Sequence, residues 1–253
     1  MNIGYQWRSI PPVTKNLIII NVAIWLVEVL IPNFGNVLVE RLGLRFWGSG
    51  AFNPVQLFTY MFLHDDHTVL HILFNMFTLW MFGRVLEQVW GPKRYLLFYL
   101  VCGVGAAVTQ EVVWQLTWMH EYISGIAPLN GLTYDHMARI VKNAVATGDP
   151  QFAAAIEGMK TSMVTVGASG AIFGLLLGFA MIFPNLPMYI FFIPVPIKAK
   201  YMVIGYAVIE LFLGVSGGGT IAHFAHLGGM LFGFILLLVW KKKGTLNGNK
   251  FFY

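Results

Sequence analysis

The sequence predicts an all-α membrane protein, a six-transmembrane-helix bundle with both termini cytoplasmic. Three observations carry this. Of 253 residues, 57% are hydrophobic and only 11% are charged, against roughly 25% charged residues in an ordinary soluble domain. Mean hydropathy is +0.69, and 21 Phe and 8 Trp point to lipid as the solvent for most side chains. The apolar residues also gather into six runs, each near the ~20 residues that cross a bilayer as a helix. A soluble enzyme is excluded. The single cysteine, Cys102, lies inside an apolar run and allows no intramolecular disulfide.

The first run, Asn16 to Ile31, carries polar Asn21 and Glu28 and no small-residue cleavage site after it. It reads as a retained span rather than a signal peptide. The second extends from about Thr68 to Gly83, the third from Tyr95 to about Met119, and the fourth from about Met163 to Phe183. The fifth, Tyr201 to Val215, is short like the first, and the sixth covers Ile221 to Trp240. Tyr189 to Ile193 is apolar too, but Pro184, Pro187, Pro194 and Pro196 punctuate it, which reads as an interfacial turn.

Orientation follows from the basic residues. With six spans, one side holds Arg8, Lys15, Arg84, Lys93, Arg94, Lys198, Lys200, Lys241, Lys242, Lys243 and Lys250, eleven of the 16 Lys and Arg. The other holds Arg41, Arg45, Arg139, Lys142 and Lys160. The positive-inside rule puts both termini in the cytoplasm; a plasma or inner membrane is expected, although the rule itself fixes only the sidedness. The net charge of +5 is thereby explained by topology, and no nucleic-acid partner is called for.

Two outer connections are long. Residues 32–67 include Leu42, Leu44, Phe46, Trp47, Phe52, Leu57, Phe58, Phe62 and Leu63, too apolar a set to float in water, and should lie in the interface. Residues 120–162 are polar and form an insertion in what otherwise reads as a single domain over 1–253. Within it Tyr134, Met137, Val141, Ala144 and Val145 share one helical face, which predicts an amphipathic helix near 133–147, either a surface connector or a lid.

Ionisable or strongly polar groups at membrane depth cost several kcal/mol unless paired or facing a cavity. The candidates are His71, Asn75, Gln110, Glu111, Ser169, Glu210, His223 and His226, with Glu28 and Glu87 nearer helix ends. Ser169 stands 15 residues before Pro184 and His226 15 before Lys241, so both lie ~22 Å above the inner boundary. His71, 13 residues before Arg84, comes out ~20 Å up, with Asn75 a turn deeper on the same face. Gly170, Gly174 and Gly178, and Gly229 and Gly233, repeat at spacing four, the pattern that lets helices pack closely in lipid. If the two glycine faces meet, His226 lies against the top of the fourth helix, near Ser169.

A serine hydroxyl becomes a nucleophile when a neighbouring base takes its proton, and histidine is the usual base. Attack on an amide carbonyl creates an oxyanion that preorganised donors must meet, and the Ser169 N–H, Asn75 and His71 are suitable. No third acid has a spacing relation to His226, since Glu111 and Glu210 lie in other helices, so a dyad is expected. Phe173, one turn below Ser169, is placed either to stack on the imidazole or simply to pack.

These residues carry a resemblance. Gly167-Ala168-Ser169-Gly170 resembles the GxSG motif of the rhomboid family of intramembrane serine proteases. His71-Ile72-Leu73-Phe74-Asn75 is similar to its HxxxN motif, and Ala225-His226-Leu227-Gly228-Gly229 to its AHxxG motif. Order and topology match over roughly 50–240. The resemblance implies a Ser169–His226 dyad, an oxyanion site with His71 and Asn75, and transmembrane protein substrates cut near their outer ends. It also implies water access from the outer side. The Trp-Arg pair of many members would fall near Val55 and Gln56 and is absent, and Phe173 stands where the family often has tyrosine.

No cofactor or metal is assigned. The chemical alternative is a metal site drawn from His64, His67, His71, His223 and His226, with Asp65 and Asp66 nearby, and this would leave Ser169 unused. A transporter or scaffold is the non-enzymatic alternative. Ser216-Gly217-Gly218-Gly219-Thr220 leads into the last helix and reads as a hinge or cap.

Overall fold

The computed structural model describes residues 10–31, 33–64, 69–189, 195–216 and 222–245. The Gly217–Thr220 stretch of the expected hinge, His67 with Asp65 and Asp66, and the first residue of the expected sixth span, Ile221, lie outside the described residues.

Helix α1 (Pro12–Leu30) opens with a proline, which gives up no needed N–H there. The N–H groups of Val13 and Thr14 donate to the Glu87 carboxylate at 2.9 and 2.7 Å, and the Thr14 hydroxyl adds a bond of 2.8 Å. A carboxylate is favoured at a helix N-terminus by the exposed donors and the helix dipole. Glu87 is thus used to tie two spans together.

The described part of the first connection forms helix α2 (Phe34–Leu42), strand β1 (Leu44–Arg45), a short helix α3 (Gln56–Thr59) and a 3-10 turn at Tyr60–Phe62. Gln56, where the family's Trp-Arg pair is missing, is buried and pins the connection. Its Oε1 accepts from the N–H groups of Arg45 and Asn53, and its amide donates to the carbonyls of Arg41 and Ala51.

The second span continues beyond the expected Gly83. Helix α4 (Val69–Thr78) passes through one π-helical turn, Leu79–Gly83, into α5 (Arg84–Trp90). Arg84, read as an inner boundary, sits 4.6 Å over the Trp80 ring, a cation–π contact that keeps the guanidinium on the helix side. Helix α6 (Pro92–Leu129) has 38 residues, about 57 Å and roughly twice the hydrocarbon thickness, so it too outruns its expected end near Met119. One face of its far turns, with Tyr122, Ile123 and Ala127, is covered by protein. Helix α7 (Tyr134–Thr147), capped by Thr133 and closed by Gly148 at φ 68°, coincides with the expected amphipathic helix. An unexpected α8 (Pro150–Ser162) follows, its Asp149 cap accepting from the N–H groups of Gln151 and Phe152. Met137, Val141 and Ile156 close on Tyr122, Ile123 and Ala127 of α6 as a second apolar cluster.

The fourth run is shorter than expected. Val164–Thr165 is strand β2, paired antiparallel with β1, and α9 occupies only Ser169–Ile182. The β-branched Val164, Thr165 and Val166 favour extended backbone, and Gly167 at φ +129° takes a conformation that only glycine adopts readily. Strands β3 (Pro187–Met188) and β4 (Ile197–Lys198) form a hairpin before α10 (Ala199–Ser216), and α11 (Ala222–Lys242) ends the fold. Pro187, Tyr189 and Pro196 belong to this hairpin region, while 190–194, with Pro194, lie outside the described residues.

Helix α9 is the enclosed centre, packed against α6 and α11, with Ala171 and Leu175 fully buried. Gly229 faces Gly170, whose carbonyl a Cβ at 229 would overlap, and Gly174 meets Cys102 and the Gly229 carbonyl in the same way. Outward, Ile204, Val208, Phe212 and Val215 of α10 are largely exposed, as lipid-facing side chains are. Among the described residues, five helices are long and apolar enough to cross a membrane, and α9 is a shorter apolar one. Gly229→Val is expected to lower stability by about 1–3 kcal/mol through this backbone overlap. Thermal unfolding in detergent checks it, and an unchanged midpoint would refute the contact.

Candidate active site

Four elements bring the predicted residues together. Ser169 is the first residue of α9, whose N-terminus has no side-chain cap, so the first-turn N–H groups lack intrahelical acceptors. The turn before it is held from outside: the Gly167 N–H donates to the Tyr60 carbonyl at 3.0 Å, and the Tyr60 hydroxyl donates to the Gly103 carbonyl at 2.8 Å. Tyr60 is fully enclosed, and burial pushes its phenol up, so it remains a neutral donor.

The glycine contacts carry α11 to the top of α9, and there Ser169 Oγ and His226 Nε2 are 2.8 Å apart. The direction of this hydrogen bond depends on which imidazole nitrogen holds the proton. Phe173 stacks on the imidazole, ring centroids 4.1 Å apart and 4° from parallel. It therefore stacks on the imidazole, and a flat apolar face fixes that ring's plane.

From α4, the His71 ring lies over Gly167, 3.1 Å from where a Cβ would stand, and the same position is 3.7 Å from Ser169 Oγ. No residue but glycine leaves that room. His64 neighbours it, ring centroids 5.3 Å apart. Burial first, then the His71 imidazole, push the pKa of His64 down to about 3, so it is neutral near neutral pH. Asn75 is buried, and its Nδ2 has no hydrogen-bond partner among the described residues. A cavity of about 300 Å³ opens beside it, lined among others by Asn75, Phe173, Met202 and Tyr206. Its walls come from α4, the π turn, α9, the β3 end at Met188 and Tyr189, and α10.

A model of the rhomboid domain matches residues 51–133 and 136–243. The chain belongs to the rhomboid family. That family is one of intramembrane serine proteases, and with its apolar helices this rhomboid is an integral, multi-pass membrane protein. A search of curated proteins finds no match to the chain.

Two acids differ from their sequence reading. Glu111 is fully buried and accepts from the Trp47 N–H at 2.7 Å, while Gln115 accepts from the Trp47 indole at 2.9 Å. The pair anchors the first connection of this rhomboid. Glu210, expected to bear no relation to His226, lies beside it: its Oε2 is 2.7 Å from His223 Nδ1 and 3.0 Å from His226 Nδ1. The His223 approach is aligned as a hydrogen bond, whereas His226 Nδ1 meets the carboxylate as an ion pair with no aligned hydrogen bond among the described residues. Depth alone could not reveal this, because it says nothing about the rotation of α10. Among the described residues, the ligand-type side chains that converge are Glu210, His223 and His226; His67, one of the five expected imidazoles, lies outside them.

Proposed function

We propose that this rhomboid is an intramembrane serine endopeptidase that cleaves transmembrane protein substrates near the outer face of the membrane. The observation that supports it most is the 2.8 Å contact of Ser169 with His226, under a stacked Phe173 and inside an apolar bundle. His226 Nε2 takes the hydroxyl proton as Ser169 Oγ attacks the scissile carbonyl carbon, and returns it to the leaving amine. Water then hydrolyses the acyl-enzyme by the reverse use of the same base. Asn75 Nδ2, the His71 imidazole and the first-turn N–H groups of α9 meet the oxyanion, where a low-dielectric surrounding strengthens each bond. The cavity beside Asn75 receives an apolar substrate side chain.

The accompanying topology is six spans, with α9 as the fourth, in a single rhomboid domain that carries an insertion at about 120–162. The basic bias puts both termini in the cytoplasm of a cell membrane and opens Ser169 to the opposite side. The partners are transmembrane substrates and the lipid bilayer. No nucleic acid is involved.

One experiment tests both nucleophile and sidedness. A membrane-impermeant fluorophosphonate applied to intact cells is expected to modify Ser169, read as a mass shift on its tryptic or chymotryptic peptide. Labelling by a permeant analogue alone would reverse the topology, and labelling by neither would remove the serine-protease reading.

A further inference from the structure

We propose that Glu210, His223 and His226 form a binding site for a divalent transition-metal cation of the zinc class, and that its occupation silences the protease. The second half rests on the dyad reading above; the first does not.

The ligand geometry comes from two elements. His223 and His226 are three residues apart on α11 and so project to one side of the helix. Glu210 reaches them from α10. Its Oε2 lies 2.7 and 3.0 Å from the two Nδ1 atoms, and all three ligand atoms are within 4.8 Å of one another. Ligands at 2.0–2.2 Å around a tetrahedral zinc stand about 3.4 Å apart, so the Glu210 oxygen has to draw back by about 0.4–0.7 Å from the two nitrogens to admit the ion. Two imidazoles and one carboxylate form a set that suits zinc and not magnesium or calcium, which prefer oxygen alone. The three side chains retain 13–19% exposure, which leaves a fourth position for water.

The second contact adds a reason. His226 Nδ1 is buried and meets the same carboxylate oxygen at 3.0 Å as an ion pair, with no aligned hydrogen bond among the described residues. A cation between the groups supplies the partner that the off-line carboxylate does not. His226 coordinating through Nδ1 must carry its proton on Nε2. That N–H then donates to Ser169 Oγ, and no lone pair remains to take the serine proton. Binding and release of the ion thereby switch the base off and on, with no covalent step.

The test uses the full-length protein in detergent, stripped with a chelator and titrated with zinc chloride. Calorimetry on Ser169→Ala, in which turnover plays no part, is expected to show one zinc per chain and no magnesium binding. His223→Ala and Glu210→Gln, added separately to Ser169→Ala, are each expected to weaken zinc by at least about tenfold. With Ser169 intact, zinc is expected to stop hydrolysis of a transmembrane peptide, and His223→Ala to need at least about tenfold more zinc for half-inhibition of its own zinc-free rate. No binding at submillimolar zinc, or equal affinity in both variants, would overturn the site. Binding without loss of rate would overturn the silencing. A protein inactive before zinc is added, yet binding it as described, would count against the protease reading and leave the site standing.

Discussion

Ser169→Ala and His226→Ala are each expected to reduce hydrolysis of a fluorescent transmembrane peptide by at least about 10,000-fold, and the double variant to be no worse than either alone. The reason is that nucleophile and base act in one step. Without the hydroxyl nothing attacks, and without the imidazole, 2.8 Å away, the hydroxyl is too weakly nucleophilic to attack. What remains is the oxyanion site and substrate binding, which the two variants share. The Oγ is small, so Ser169→Ala is expected to leave thermal unfolding unchanged, which separates lost chemistry from lost fold. Rates equal to wild type would end the protease reading and favour a transporter or scaffold.

Asn75→Ala is expected to lower kcat by about 100- to 1,000-fold, or about 2.7–4 kcal/mol, with little change in KM. Asn75 is buried and its Nδ2 has no partner among the described residues. An unmet buried donor costs about 1–3 kcal/mol of stability, and an oxyanion in the transition state would meet it. The near-isosteric Asn75→Leu carries the same kinetic loss and is expected to unfold at an equal or higher temperature. Steady-state kinetics alongside a melting curve check this pair, and a variant that kept its kcat would remove Asn75 from the oxyanion site.

The residues of the candidate site were readable because polar groups are scarce in lipid and helix depth is a ruler. Ser169, His226, His71 and Asn75 stood out against apolar neighbours, and the glycine rows said which helix faces approach. Depth is blind to rotation, however, and so it missed Glu210. Hydropathy is equally blind to whether an apolar stretch is helical, so Val164–Val166, a half-buried extended segment, passed for helix. It also lapses where a helix leaves lipid, which hid the last turns of α6. A signal for α8 was present, since Asp149-Pro150 is a cap followed by a first-turn proline. The pinning role of Gln56 was hidden because a lone amide in a loop carries no pattern.

The length of α6 has a thermodynamic consequence. Inside the bilayer, helices gain nothing from expelling water, because lipid tails are as apolar as leucine. There α6 is held by close fit, as where Met61 lies against Gly103. At its far end, Tyr122, Ile123 and Ala127 close on α7 and α8, and there burial from water supplies the drive, which fades on cooling and in urea. One unbroken helix is thus governed by two solvents: chaotropes and cold loosen its tip, whereas detergents and lipid composition act on its stem.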